Sequence, residues 1–142
     1  MGGLALACAG HADAETIMRA DAARYDKSAL GPTAMPPLLD GNRTLLRAVV
    51  DELVATFPDP EAHFYNLLML SRLGDWDRVV EILSGVVDRG FFPAETFARH
   101  AWLDPARGRE DFTAVLHRAQ QRRDRAKSAY AGAGGEGLLG PA

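Results

Sequence analysis

The chain has 142 residues, 47% of them hydrophobic and 25% charged, with a formal net charge of −3. That length carries one domain with its own core, and the balance excludes an intrinsically disordered chain and gives no basis for non-specific binding to nucleic acid or a membrane surface. The single cysteine, Cys8, excludes an intramolecular disulfide framework, and no apolar run approaches the roughly 20 residues of a membrane span.

Met1 to Gly10 is apolar, but it lacks the leading basic residues and the length of a signal peptide. Leu6 stands where an N-myristoylation pattern wants Ser or Thr, so the default compartment is the cytoplasm. Leu4, Leu6 and Cys8 open a short helix that Gly10 interrupts. Ile17, Met18, Ala22 and Tyr25 recur at helical spacing, which predicts a second helix to about Tyr25 and a tight hairpin around Gly10. Residues 26–41 hold Gly31, Pro32, Pro36, Pro37 and Gly41 and read as a long loop.

Asn42 is a good N-cap for the next helix, whose apolar face is Leu45, Leu46, Val49, Val50, Leu53 and Phe57, with Pro58 as the stop. Asp59, Pro60 and Glu61 then give cap, first-turn proline and dipole complement in sequence. Phe64, Leu67, Leu68 and Leu70 carry that helix to Gly74. Trp76, Val79, Val80, Ile82, Leu83, Val86 and Val87 line the following one, which Gly90 ends. A short helical turn spans Pro93 to Arg99, and Trp102 to Pro105 form a compact linker. The last helix runs from about Glu110 to Tyr130, with Phe112, Leu116, Ala119, Ala126 and Tyr130 on its inner stripe. Gly132 to Ala142, rich in glycine, is expected to be a frayed tail. No segment alternates as a strand does, so the expected class is all-α, with residues 1–131 as one domain.

Phe64 to Pro93 reads as helix, Gly-Asp-Trp-Asp turn, helix, and Gly-Phe-Phe-Pro. This resembles one tetratricopeptide repeat, the helical hairpin of about 34 residues whose apolar faces are buried by stacked neighbours. Leu67, Val79 and Val86 stand where the family usually has small residues, which implies wider helix packing than in a consensus repeat. Gly90-Phe91-Phe92, Glu95, Phe97-Ala98-Arg99, Trp102-Leu103-Asp104-Pro105, Phe112, Leu116 and the Gly134 to Gly140 region extend the likeness. They resemble the C-terminal end of large bacterial tetratricopeptide-repeat proteins. The resemblance covers about Pro58 to Gly140. It implies a short α-solenoid of TPR-like hairpins with a long closing helix, the terminal part of a larger array.

His11, His63, His100 and His117 are scattered singly and read as surface or helix-end residues, and no HExxH, CxxC or EF-hand spacing occurs. The glycines of 132–137 lack the Lys-Ser/Thr of a phosphate loop, and no serine sits in a nucleophile elbow. No cofactor is implied, and an enzyme is not expected.

Three functional readings remain. The first is a non-catalytic scaffold that holds a protein or peptide partner on the first helix of the repeat, with Tyr65, Asn66, Met69 and Arg72 as the contact residues. The second is a structural end-cap that mediates self-association into a homo-oligomer, suited to a terminal helix with a polar outer face. The third rests on uneven charge. Residues 1–100 hold nine Lys/Arg against fourteen Asp/Glu, whereas 101–142 hold seven against five. That excess concentrates between Arg118 and Lys127. A basic face of Arg118, Arg122 and Arg125 would suit nucleic acid or an acidic partner, although such a run is also the ordinary solvated side of a closing helix. Trp76 and Trp102 are expected to act as packing anchors.

Overall fold

The computed structural model describes residues 2–24, 34–135 and 137, and among these there is no strand. The helices in chain order are α1 (Gly2–Cys8), α2 (Ala14–Arg24), α3 (Met35–Leu39), α4 (Arg43–Thr56), α5 (Pro60–Arg72), α6 (Trp76–Asp88), α7 (Ala94–Arg99) and α8 (Glu110–Gly132), with a 3₁₀ helix (Ala101–Ala106) before the last.

Local chemistry sets the boundaries. The Asn42 side chain accepts from the Leu45 amide at 3.0 Å and caps α4. Asp59 accepts from the Glu61 amide at 2.9 Å ahead of Pro60. Gly74 (φ +73°) supplies the left-handed turn that ends α5, and the Asp75 amide returns to the Leu70 carbonyl at 3.2 Å. Asp59→Ala is expected to cost about 1 kcal/mol, read as a shift of the denaturation midpoint with unchanged m. A shift indistinguishable from zero would mean that α5 does not depend on its cap.

The α5–α6 hairpin is the centre of the molecule. Helix α5 packs on α3, α4, α6 and the 3₁₀ helix. It is therefore buried on nearly every side, from His63 and Phe64 through Asn66 to Ser71. From α6, Val79, Val80, Ile82, Leu83, Val86 and Val87 face inward. Leu4 of α1 and Met18 of α2 join the same core, so the N-terminal hairpin, turned at Gly10 (φ +72°), is part of the body. Helix α8 closes the other side by packing Phe112, Val115 and Ala119 against α6 and α7.

The helix boundaries, stripes and tail depart from the sequence reading at four places. Met35–Leu39 is a helical turn instead of loop, because Pro36 and Pro37 occupy first-turn positions where no amide donor is needed. The remainder of the expected loop, 26–33, lies outside the described residues, as does Tyr25. Leu45 points away from the core and is 49% exposed, since the buried stripe of α4 is Leu46, Val50 and Leu53. On α8 the inner stripe stops at Ala119. Ala126 is exposed because α8 outruns the elements beneath it, and Tyr130 is half-buried only by the chain folding back. There the Tyr130 hydroxyl donates to the Gly135 carbonyl at 2.7 Å, so the expected frayed tail begins with an ordered turn over 133–135.

Candidate functional site

The four residues expected to meet a partner do not share a surface. Asn66 and Met69 are 7% and 2% exposed, inside the core. The correction has a physical reason: in a two-layer hairpin the first helix has one free face, but here α3, α4 and the 3₁₀ helix cover it. Tyr65 is half-buried, packs its ring 5.8 Å from that of Phe64, and donates its hydroxyl to Glu61 at 3.0 Å. Arg72, in the last turn of α5, is exposed.

Arg72 lies at a cleft. Its guanidinium stands 5.1 Å from the centre of the Trp102 ring. Among the described residues it has no carboxylate partner. Trp102 is itself held by the 3₁₀ helix, whose first turn is capped by His100 Nδ1 accepting from the Trp102 amide at 3.2 Å. The His100 ring meets Trp102 edge-on, with centres 6.0 Å apart. The cleft of about 390 Å³ runs between the α1–α2 hairpin, α3 and the end of α5, with Met18, Leu38, Leu39 and Leu73 offering apolar surface and His11 and Glu15 on its rim. Glu15 is engaged by Arg19 at 3.0 Å, and Arg19 also reaches Asp40 at 3.3 Å, which ties α2 to the end of α3. Burial raises the Cys8 thiol above its ordinary value, and the charge of Arg72 opposes this only in part. Cys8 is partly buried and packs against the core, where burial disfavours its thiolate.

Arg72 is exposed and Trp102 is partly buried against the core, but nothing in the sequence joins the two. Thirty residues separate the pair, and only the docking of the 3₁₀ helix on α5 brings them together.

The basic run of α8 is largely spent inside the molecule. Arg118 lies 3.8 Å and Arg122 3.7 Å from the two carboxylate oxygens of Asp88, and Arg118 also donates to the Ser84 hydroxyl at 2.7 Å. Arg123 reaches Glu95 of α7 at 3.1 Å. These residues fasten α8 to the C-terminal end of α6 and to α7, where a cation also suits the helix dipole. Arg125 stands apart, on the exposed stretch beyond.

His63 is a site of a different kind, and its burial corrects the surface reading. It is 1% exposed, its Nε2 lies 2.6 Å from the Phe57 carbonyl, and the Arg89 guanidinium donates to its Nδ1. Those partners fix the neutral tautomer with the proton on Nε2. Burial, helped by the charge of Arg89, pushes the imidazole below its ordinary value of 6.5. In this case the unfolded chain takes up the proton first. The stability held by neutral His63 is therefore fully present above about pH 6.5 and is lost as pH falls through the lower folded value. His63→Gln should cost stability at pH 7.5, and the gap from wild type should shrink by pH 5. A constant gap in denaturation midpoint would refute this. The burial of His100 lowers it too and adds to the acid sensitivity of both proteins.

Among the described residues no group of three His, Cys, Asp or Glu is placed to hold a metal ion, and no helix is long and apolar enough to cross a membrane. Compared with known proteins, the chain matches no family model, no curated protein and no solved structure.

Proposed function

We propose that the chain is a non-catalytic, tetratricopeptide-like interaction module that holds a short segment of a protein partner in the cleft beside Arg72 and Trp102. One observation carries this reading. A guanidinium lies beside an indole ring, without a carboxylate partner among the described residues, next to an apolar floor of Met18, Leu38, Leu39 and Leu73. An aromatic residue and an arginine set together in a concave site are the side chains that most often dominate binding. Stacking pre-orients the guanidinium, so a carboxylate arriving from a partner meets a donor fork already in place. The complementary segment is an apolar side chain with an Asp or Glu close to it.

The test is selection of binders from a random peptide library displayed against the whole chain. Enriched sequences should pair Asp or Glu with Leu, Ile or Phe. Arg72→Glu should weaken their binding by at least about tenfold, the loss of a charge-assisted contact plus repulsion. Among the described residues Arg72 has no ion pair to lose, so its variant is expected to keep the fold. Binding that is indifferent to Arg72→Glu overturns the assignment.

An end-cap role in self-association has one observation in its favour. Every residue from Asp124 to Ala129 is exposed, so the distal part of α8 presents a solvent-facing helical surface. A mass in solution that stays monomeric across a hundredfold range of concentration would dismiss it. Recognition of nucleic acid through Arg118, Arg122 and Arg125 is not favoured, because the first two are engaged by Asp88.

A further inference from the structure

A second cleft, of about 450 Å³, opens where the N-terminal ends of α4, α6 and α8 converge. It is independent of the Arg72 site and shares no residue with it. Its walls carry Arg43 and Thr44 from the first turn of α4, Arg47 one turn on, Trp76 at the start of α6, and Arg109 just ahead of α8. Two acidic residues, Asp75 and Asp77, also line it.

The hydrogen-bonding account of this cleft is one-sided. Both acidic residues are already used: Asp75 by Arg47 at 3.3 Å, and Asp77 by Arg109 at 2.6 Å. Arg109 is further bound by Asp111 at 2.8 Å, and that guanidinium holds the Asp111 carboxyl below its ordinary range. The donors, by contrast, are in surplus. The Arg43 amide donates to the Gly41 carbonyl at 3.1 Å, but among the described residues its guanidinium has no hydrogen bond or ion pair, and neither the Thr44 hydroxyl nor the Trp76 indole N–H has an acceptor. Arg47 contacts Asp75 through Nη1, and Arg109 contacts its carboxylates through Nε and Nη2. Each therefore keeps a terminal nitrogen unused. Asp75 is the N-cap of α6 but turns its carboxylate to Arg47, leaving the first-turn amides of that helix without a side-chain cap. Among the described residues the unmet side-chain groups on the walls are mostly donors, with the second Asp77 oxygen the exception, and the acidic residues hold two of the arginines in place.

We infer that this cleft is an oxyanion site for a phosphate group, held by Arg43, Arg47 and Arg109 with Thr44 and the Trp76 indole N–H. A phosphate monoester brings the several acceptor oxygens that such a donor set lacks, and guanidinium forks match its geometry. The volume admits more than a bare ion, being in the range of small-molecule sites of about 300–1,000 Å³. The chemistry is that of a phosphate group, whether free or on a small ester.

The test is a titration of the full chain followed by amide and indole NMR shifts, at constant ionic strength, with inorganic phosphate, adenosine monophosphate and chloride in separate arms. Phosphate should give saturable shifts at Thr44, Asp77 and the Trp76 indole N–H that chloride does not reproduce. Tighter binding of the nucleotide at the same residues identifies an ester as the ligand, and equal binding identifies free phosphate. Arg43→Gln should weaken either by about tenfold while leaving the denaturation midpoint unchanged, since among the described residues the Arg43 side chain makes no hydrogen bond or ion pair and its backbone bond is kept. Equal shifts with chloride, shifts elsewhere on the surface, or binding unaffected by Arg43→Gln would overturn the site.

Discussion

Phe97→Ala is expected to lower the unfolding free energy by about 3–5 kcal/mol. Phe97 is fully buried in α7, and its ring lies 5.1 Å from Phe64 and 6.2 Å from Phe91. Those three rings join α5, the turn after α6 and the segment that leads to the 3₁₀ helix. Truncating the middle ring removes its own burial and also leaves its two neighbours facing a cavity that helices on several sides cannot collapse to fill. Urea denaturation of the wild type and variant measures it directly. A loss under about 1 kcal/mol would mean that α7 is not docked as described.

The second large effect separates two residues of the same helix. Met69→Ala should cost about 2–5 kcal/mol, whereas Arg72→Ala should cost about 0.5–1 kcal/mol, the scale of an exposed cation–π contact. Met69 is 2% exposed in the centre of the α5 packing, and Arg72 stands at the surface against Trp102. Were Met69 on a partner-facing surface, the two losses would be alike and small. Midpoints and m-values for the pair decide between these, and equal losses would restore the surface assignment.

How far the fold was legible depends on whether the governing contact is near in sequence. Asn42, Asp59 with Pro60, and Gly74 act on residues within one turn, and each boundary was read correctly from them. The all-α class followed from the same local signals. The two prolines at 36 and 37 misled, because proline in a loop and proline in a first helical turn look alike until Ala34 and Met35 are seen to be buried. The full burial of α5 was half-visible: apolar residues run almost unbroken from Leu67 to Leu70, more than one face of a helix needs. Asn66 and Met69 were nonetheless assigned outward, since a hairpin viewed alone has a free face.

The sites were less legible for the same reason. Arg72 meets Trp102, Arg118 and Arg122 meet Asp88, and Arg89 meets His63, each across some 26 to 34 positions. Arg43 and Arg47 could be seen as neighbours on α4, but only the packing of α6 and α8 brings Arg109 to them. Charge in a sequence shows how many arginines there are; the fold determines which of them remain unpaired.

The most direct test of the proposed binding role is to locate a selected acidic-apolar peptide on the surface by NMR titration of the wild-type chain. Shifts are expected at the Trp102 indole N–H, the Leu73 amide and the His11 to Glu15 turn, lost in Arg72→Glu. Shifts confined to the exposed end of α8, or retained in Arg72→Glu, would contradict it.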